Sequence, residues 1–302
     1  MSSSNELPDT KVNTQVKNIL VTGSKGQLGR SIELLAASNP KFQLTLTDVD
    51  DLDLTDREAV EKAITEGGYD YVVNCAAYTA VDRAESDEVA AARINTEAVG
   101  NIARAARTAK VKVIHISTDY VFSGKNHRPY DELDEPYPTS VYGRTKLEGE
   151  GMLTSFCPDA VIIRTAWLYS EFGNNFVKTI LRKGEETGCL RVVADQIGTP
   201  TYAGDLAQAV LDVIDSEKWT PGVYHFTDEG VASWYDFAIE IIRTGGLRNV
   251  TVEACNTKDY PTTATRPSYS VLDKGKIKRV YGVQVPYWKD SLQLCLDRMD
   301  RQ

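Results

Sequence analysis

The sequence is poor in the residues that build disulfide frameworks and zinc sites. Its 302 residues include five cysteines, which are odd in number and widely separated, and only three histidines. No Cys-x-x-Cys pair occurs, so neither a disulfide-stapled fold nor a structural zinc centre is expected. No apolar run reaches the roughly 18 residues that predict a transmembrane helix. The chain is therefore expected to be reduced, soluble and cytoplasmic.

Basic residues are also scarce. The 34 lysines and arginines are outnumbered by 43 acidic residues, which leaves a net charge of −9. This balance argues against binding to nucleic acids or to an anionic membrane surface, because both need clustered cations. Residues 1–16 are polar and lack the apolar segment of a secretory signal, so we predict a flexible tail there.

Strand patterns alternate with helix patterns over the first half of the chain after this tail. The strand patterns are apolar throughout, as in strands that are covered on both faces. This order predicts an α/β protein with a Rossmann-type, doubly wound parallel sheet. The predicted strands are residues 17–23, 43–48, 69–77, 111–118 and 159–167, and the predicted helices between them are 26–38, 56–68, 85–109 and 142–156.

Toward the C-terminus the alternation loosens, and Pro, Thr and Arg become frequent. We assign residues 17–165 to a dinucleotide-binding domain, completed by about 196–216. A smaller substrate-binding lobe is expected to comprise residues 166–195 and 217–302. A brief predicted strand at 224–226 falls within this lobe.

A glycine-rich loop follows the first predicted strand. Gly23, Gly26 and Gly29 have the spacing of a dinucleotide-binding turn, in which backbone N–H groups and a helix N-terminus approach a pyrophosphate. Asp48 ends the second predicted strand, where a carboxylate accepts hydrogen bonds from the adenosine ribose. The alternatives are a simple strand–helix turn and an ordinary acidic residue at a strand end.

A tyrosine and a lysine lie four residues apart at the start of the helix near residue 142. Tyr142 and Lys146 share one helix face, and a neighbouring cation lowers a tyrosine pKa, which makes it a usable general acid. Taken alone, such a pair is often a surface feature. Thr118, however, is at the carboxyl end of the fourth predicted strand, where parallel sheets bind ligands. His115 lies within that apolar strand, and we interpret it as a core histidine.

The chain resembles the extended short-chain dehydrogenase/reductases and, within them, the dTDP-4-dehydrorhamnose reductases. The resemblance spans nearly the whole chain after the tail. The segments that carry it are ILVTGSKGQLGR, VVNCAAYTAVDRAES, HISTDYVFSG, PTSVYGRTKLEGE, RTAWLYSEFGNNFVKTIL, VVADQIGTPTYAGDLA, GVYHFTDEGVASWYDFA and TRPSYSVLD.

The resemblance implies that the protein reduces dTDP-4-dehydro-L-rhamnose to dTDP-L-rhamnose, the last step of dTDP-rhamnose biosynthesis. Hydride would pass from NADPH or NADH to the C4 keto carbon. Tyr142 would donate the proton, Lys146 would lower the Tyr142 pKa and hold the nicotinamide ribose, and Thr118 would bind the sugar oxygen.

The resemblance also implies the remaining site residues. Besides Tyr142 and Lys146, the cofactor would contact Gly23, Gly26, Gln27, Leu28, Gly29, Asp48, Val49, Asp53, Leu54, Ala76, Ala77, Tyr78 and Thr79. The dTDP-sugar would contact Val81, Thr118, Asp119, Trp167, Asn174, Asn175 and Arg266. Each of these has an alternative role. Trp167 could be a core residue, Asn174 and Asn175 could be helix caps, and Arg266 could be a surface residue.

The choice of nicotinamide cofactor stays open. Asp48 would repel a 2′-phosphate and favour NADH, whereas Lys25 and Arg30 lie close enough in sequence to neutralise one.

We expect no metal and a monomer or weak homodimer without a metal bridge. In some members of the family Mg²⁺ held by glutamates joins two subunits, but the corresponding places here lack glutamates. They are Ser31, Gly188 with Cys189, and a C-terminal helix that offers Asp290 and Asp297. Mg²⁺ needs several oxygen ligands.

Two alternative functions remain at this point. One is a non-catalytic subunit of the same fold, of the type that regulates methionine adenosyltransferase. The other is a different nucleotide-sugar oxidoreductase or epimerase.

Overall fold

The computed structural model describes residues 15–216 and 218–300, so the predicted tail lies almost wholly outside the described residues. Its strands are β1 (Lys17–Thr22), β2 (Phe42–Thr47), β3 (Tyr71–Asn74), β4 (Lys112–Thr118), β5 (Val161–Thr165), β6 (Leu168–Tyr169), β7 (Cys189–Val193), β8 (Ile197–Gly198), β9 (Thr201–Tyr202), β10 (Gly222–His225), β11 (Ala232–Ser233) and β12 (Thr251–Cys255). Its α-helices are α1 (Gln27–Ala36), α2 (Arg57–Glu66), α3 (Val81–Ala84), α4 (Glu88–Ala92), α5 (Ala98–Ala109), α6 (Val141–Phe156), α7 (Phe176–Thr187), α8 (Ala203–Asp215), α9 (Trp234–Thr244), α10 (Gly275–Tyr281) and α11 (Trp288–Met299).

A parallel sheet forms the centre of the described chain. Its six strands lie in the order β2–β1–β3–β4–β5–β10, and every neighbouring pair is parallel. The chain leaves β1 in one direction to form β2 and crosses to the other side to form β3. Ligands bind at such a switch point, outside the carboxyl ends of the strands. The predicted fold class is confirmed.

Alternate residues of the central strands enter two separate cores, because successive side chains point to opposite faces of a sheet. Helices α1, α8 and α10 cover one face, and α2, α5 and α6 cover the other. The first core contains Ile19, Val21, Ile32, Ile114, Ile163, Leu206 and Ile277. The second contains Leu20, Val60, Val72, Ile102, Val113, Leu153 and Ile162.

The brief strand near residue 224 belongs to the central sheet, which corrects its placement in the lobe. β10 pairs with β5, and the Tyr224 side chain is fully buried in the core beside α8. Pairing with the free edge of β5 satisfies main-chain groups on both strands. The division of the chain into a cofactor unit and a substrate unit stays a prediction.

The helix predicted over residues 85–109 is interrupted. Residues Arg93–Glu97 form a π-helical turn between α4 and α5. Asn95 lies in this turn and is buried. Its side chain pairs with both main-chain groups of Tyr78, at 2.9 and 3.2 Å, and with the Thr145 hydroxyl at 3.1 Å. The wider turn brings this amide to the interior, as π-bulges at functional sites do.

A second layer is built from C-terminal elements. Helices α7, α9 and α11 pack with the paired strands β7 and β12 around an aromatic core. Tyr169, Phe237 and Trp288 lie at its centre. No helix in residues 15–216 and 218–300 is long and apolar enough to cross a membrane.

A buried ion pair fastens α6 to the sheet. Glu150 on α6 accepts two hydrogen bonds from Arg164 of β5, at 2.9 and 2.7 Å. It accepts a third from the Ser117 hydroxyl of β4, at 2.5 Å. Both charged side chains are about 95% buried, with exposures of 4% and 5%.

We expect Glu150→Gln to lower the free energy of unfolding by about 3 kcal/mol, because it leaves the Arg164 charge buried without a counter-ion. Denaturant unfolding of both proteins measures the difference. Glu148→Gln is the matched control on the same helix, since Glu148 is 49% exposed beside Arg144, and it should cost about 0.5 kcal/mol or less. Equal effects of the two changes would contradict a structural role for the buried pair.

Candidate functional site

A cavity of about 980 Å³ opens at the carboxyl ends of the central strands. Its size suits a dinucleotide together with a second ligand. The predicted residues that line it are Gly23, Gly26, Gln27, Leu28, Asp48, Val49, Asp53, Leu54, Ala76, Ala77, Thr79, Val81, Thr118, Asp119, Tyr142, Lys146, Trp167, Asn174 and Arg266. Gly29, Tyr78 and Asn175 do not line it.

The glycine loop makes one wall of the cavity, against the chain that follows β3. Gly23 has φ +67°, and a Cβ at this position would lie 2.7 Å from the Ala76 Cα. A side chain is therefore excluded by both conformation and space. Helix α1 begins at Gln27, directly after Gly26, so its N-terminal N–H groups are available to an anion. Gly29 instead packs against Ser24, where a Cβ would lie 2.5 Å from the backbone.

The end of the cavity next to the glycine loop is acidic. Asp48 accepts hydrogen bonds from the Lys25 N–H at 3.0 Å and the Val49 N–H at 2.9 Å. The Lys25 ammonium pairs with Asp50 at 2.8 Å rather than with Asp48. Hydrogen bonds from the Thr55 N–H and hydroxyl lower the pKa of Asp53. This end therefore presents carboxylates, which suit ribose hydroxyls better than a phosphate.

Thr118, Tyr142 and Lys146 all line this cavity. Thr118 ends β4, and Ser140 caps α6 by accepting from the Gly143 N–H at 3.1 Å. This cap starts the helix one residue before Tyr142, so Tyr142 and Lys146 lie one above the other on the cavity face. Gly143 permits close approach, because a Cβ there would lie 2.2 Å from the Tyr120 carbonyl oxygen.

Burial is the main influence on the pKa values of Tyr142 and Lys146. The Lys146 side chain is 1% exposed, and its amine donates to the Ile116 carbonyl at 2.7 Å. Burial lowers the pKa of Lys146 to about 8. Burial raises the pKa of the Tyr142 hydroxyl, and the neighbouring Thr118 opposes that rise only in part. The expected lowering of the Tyr142 pKa by Lys146 is therefore wrong for the free protein, since desolvation is the larger effect.

An acid beside Thr118 carries an unpaired oxygen. The Thr118 hydroxyl donates to Asp119 Oδ1 at 3.1 Å, and burial raises the pKa of Asp119 to about 6. The nearby Ser270 hydroxyl partly opposes this rise in pKa, but Asp119 Oδ2 has no hydrogen-bond partner of good geometry within the described chain. A buried carboxylate oxygen without a partner is costly, so this atom is a strong candidate to accept a hydrogen bond from a ligand.

Two stacked tryptophans form the wall beside the trio. The rings of Trp167 and Trp234 are nearly parallel, with centroids 3.6 Å apart, and both line the cavity. Trp167 has φ +51°, a left-handed conformation that costs a non-glycine residue free energy and is common at functional sites. Trp234 comes from the start of α9, in a segment that carries the family resemblance, but the sequence did not assign it to the site.

Arg266 reaches the same cavity from the C-terminal segment. Its guanidinium donates to Asp82 at 2.5 Å and to the Tyr120 hydroxyl at 3.2 Å. Asp82 also accepts from the Ala264 N–H at 3.0 Å, so one carboxylate holds this segment at two points. Arg266 is therefore a bound cavity residue rather than a free surface arginine.

The three residues outside the cavity support their neighbours. Asn175 caps α7 by accepting from the Lys178 N–H at 3.1 Å, and its amide donates to Gln27 Oε1 at 3.0 Å. The helix-cap alternative therefore fits Asn175. The main chain of Tyr78 is held by Asn95, as described above. Lys25, considered above only for the choice of cofactor, also lines the cavity. Further lining residues that the sequence did not predict include Thr55, Cys75, Arg93, Tyr120 and Trp234.

Comparison with known proteins agrees with this fold. The sequence model of one family, described as RmlD substrate binding domain, matches residues 17–301. A dTDP-4-dehydrorhamnose reductase from Aggregatibacter actinomycetemcomitans is 42% identical over 284 residues, which cover 91% of this chain and 97% of the relative.

Two solved structures are similar along nearly the whole chain. A dTDP-4-dehydrorhamnose reductase from Clostridium acetobutylicum has a TM-score of 0.90 and 44% identity, and the match covers 94% of this chain and 99% of the other. The enzyme of the same name from Bacillus anthracis, solved in complex with NADP, has a TM-score of 0.89 and 35% identity, with coverages of 94% and 100%. Since sequence and fold agree from β1 to α11, the chain belongs to the RmlD substrate binding domain family.

Proposed function

We propose that the protein is an NAD(P)H-dependent reductase that converts dTDP-4-dehydro-L-rhamnose into dTDP-L-rhamnose. The observation that carries the proposal is the meeting of Thr118, Tyr142 and Lys146 in the same cavity as the glycine loop. The relatives described above bear the name of this activity, and one of them was solved with NADP.

The residues of the cavity fit a nicotinamide dinucleotide. The close approach of Gly23 to Ala76 leaves no room for a side chain, and the α1 N-terminus suits a pyrophosphate. We assign Asp48 to the adenosine ribose and Lys146 to the nicotinamide ribose. When bound, the reduced cofactor supplies the hydride.

Tyr142 is the proton donor in this proposal. Because burial raises its pKa, the phenol keeps its proton throughout the neutral range and has one to give. Its Oη would donate to the sugar oxygen as negative charge develops there. The Thr118 hydroxyl would bind the same oxygen and fix its orientation, and Asp119 would accept from a sugar hydroxyl.

Two further groups would bind the rest of the dTDP-sugar. Arg266 offers a planar guanidinium, which binds phosphate with two parallel hydrogen bonds. It is already bound by Asp82, so the diphosphate would compete with that carboxylate. The stacked pair Trp167 and Trp234 offers an apolar face to a sugar ring.

The proposed activity is tested by measuring NADPH oxidation with dTDP-4-dehydro-L-rhamnose. We expect one NADPH to be consumed for each sugar reduced. A non-catalytic subunit would consume none, and an epimerase would convert the sugar without net consumption of NADPH. Either result would contradict the proposal.

We expect Tyr142→Phe to lower kcat by about 10²–10⁴-fold, the usual contribution of a general acid. NADPH affinity, followed by fluorescence, should change little. Tyr137→Phe is the matched control, because Tyr137 is 71% exposed, and it should retain normal turnover. Near-normal kcat in Tyr142→Phe would show that another group donates the proton.

We expect Asp48→Ala to weaken NADH binding more than NADPH binding. The carboxylate accepts from the ribose hydroxyls and also repels a 2′-phosphate, so its loss affects the two cofactors differently. Asp50→Ala is the control, because it removes a neighbouring charge that pairs with Lys25 and should leave NADH affinity unchanged. Equal weakening of both cofactors by Asp48→Ala would indicate a structural role for Asp48.

We also propose a cytoplasmic monomer or weak homodimer that has no metal bridge. Within residues 15–216 and 218–300, no group of three or more His, Cys, Asp and Glu residues is placed to hold a metal ion. The five cysteines are free thiols, as a reducing compartment favours.

After dialysis against EDTA, we expect both activity and the mass in solution to be unchanged. The reason is that the places of the bridging glutamates are taken here by residues such as Ser31, which is buried and donates to the Gln27 carbonyl at 2.9 Å. Loss of activity that Mg²⁺ restores, or a dimer that dissociates on chelation, would contradict the proposal.

A further inference from the structure

A chain of buried polar side chains runs from Thr22 to Lys146. Thr22 donates to Asn74 Oδ1 at 2.8 Å, and Asn74 Nδ2 lies 3.0 Å from His115 Nδ1. His115 Nε2 in turn lies 3.3 Å from Lys146 Nζ. All four side chains are at most 2% exposed. No motif marked Asn74 or His115 as part of the site.

The orientation of the Asn74 amide is fixed by the main chain. The Ala76 N–H can only donate, and it points to Asn74 Oδ1 at 3.1 Å. The oxygen of the amide is therefore on this side, and the NH₂ group faces His115. Asn74 Nδ2 consequently donates to His115 Nδ1.

This hydrogen bond determines which ring nitrogen carries the proton. Burial lowers the pKa of His115 well below its usual value, so the ring is neutral. Because Nδ1 accepts, the single proton of a neutral imidazole is on Nε2. The Nε2–H therefore faces Lys146 Nζ.

An ammonium group cannot accept that hydrogen bond, since it has no lone pair. A neutral amine can accept from the His115 Nε2–H and still donate to the Ile116 carbonyl, which lies 2.7 Å away. The arrangement therefore matches the uncharged form of Lys146 at both contacts, whereas the charged form leaves two donors facing each other.

We propose that His115 is a positioning residue that sets the charge of Lys146 by presenting its Nε2–H to the lysine amine. The importance of this role for catalysis rests on the function proposed above, but the hydrogen-bond arrangement does not. Burial is the larger cause of the lowered pKa of Lys146, and this contact adds to it by favouring the uncharged form of the lysine that is assigned to the nicotinamide ribose.

Other charged groups near α6 also act on the Lys146 amine. Glu150 on the same helix favours the ammonium, and the Cys75 thiol acts in the same direction once it is ionised. The charge of Glu150 is shared with Arg164. The remaining titratable groups of α6 itself are Tyr142, Arg144 and Glu148. Those on elements packed against it are Lys112 of β4, Asp82 and Arg83 of α3, Glu88 of α4, Arg93 and Glu97 of the π-helical turn, Arg104 and Arg107 of α5, and Asp119 and Tyr120 after β4.

The test uses NMR of the free, full-length protein. With ¹³C at the lysine Cε, the Lys146 signal, assigned by its loss in Lys146→Met, should titrate with a midpoint near pH 8. In His115→Gln, which removes the fixed ring donor, the midpoint should rise by about one pH unit. His225→Gln is the matched control at the other buried histidine, whose Nδ1 lies 3.1 Å from the Tyr130 carbonyl, and it should leave the midpoint in place.

A second measurement needs no variant and so does not depend on the folding of His115→Gln. Imidazole ¹⁵N spectra of the wild-type protein at pH 7 should identify His115 as neutral with the proton on Nε2. A proton on Nδ1, a charged ring, or the same Lys146 midpoint in His115→Gln and wild type would overturn the proposal. No sugar is present in either experiment, so failure of the reductase assay would leave both results interpretable.

The reaction provides an independent readout. If the protein is the proposed reductase, the alkaline limb of its kcat/KM profile should move upward with the Lys146 midpoint in His115→Gln. A variant that only destabilised the core would lower kcat/KM at every pH and leave the midpoint of the alkaline limb unchanged.

Discussion

The burial of the Lys146 amine beneath the carboxyl end of β4 is the constraint on which the site depends. The amine is held there by its hydrogen bond to the Ile116 carbonyl and by its contact with His115, both on β4, which fix the distance between α6 and the sheet. One helical turn later, Glu150 binds Arg164 and Ser117 in the same way. These two polar anchors, four residues apart, determine the register of α6, and that register carries the phenol of Tyr142 into the cavity.

The cavity joins parts of the chain that differ in how firmly they are held. The strand ends belong to the continuous hydrogen-bonded sheet and the glycine loop directly follows β1, so this part of the binding site for the cofactor is held in a fixed position. Trp234 and Arg266 come from distant C-terminal segments, and Arg266 is held by the carboxylate of Asp82. A ligand anion that binds Arg266 has to replace this contact, which links ligand binding to the position of the segment around residue 264.

Much of the fold and part of the site follow from local patterns. The strands, the glycine turn and the spacing of Tyr142 and Lys146 could be predicted because each depends on residues close in sequence. The place of β10, the π-helical turn around Asn95 and the stacking of Trp234 could not, because each depends on contacts between distant segments. The predicted direction of the Tyr142 pKa shift is also wrong, because desolvation depends on the folded surroundings and not on the neighbouring sequence.

The central claim is that one sugar oxygen is held by both Tyr142 and Thr118 at the edge of the sheet. A crystal structure of the protein with NADP⁺ and dTDP-L-rhamnose tests it directly. The account predicts the sugar O4 within about 3 Å of Tyr142 Oη and of Thr118 Oγ1. A complex in which O4 lies against the tryptophan pair, or in which the sugar occupies a different cavity, would contradict it.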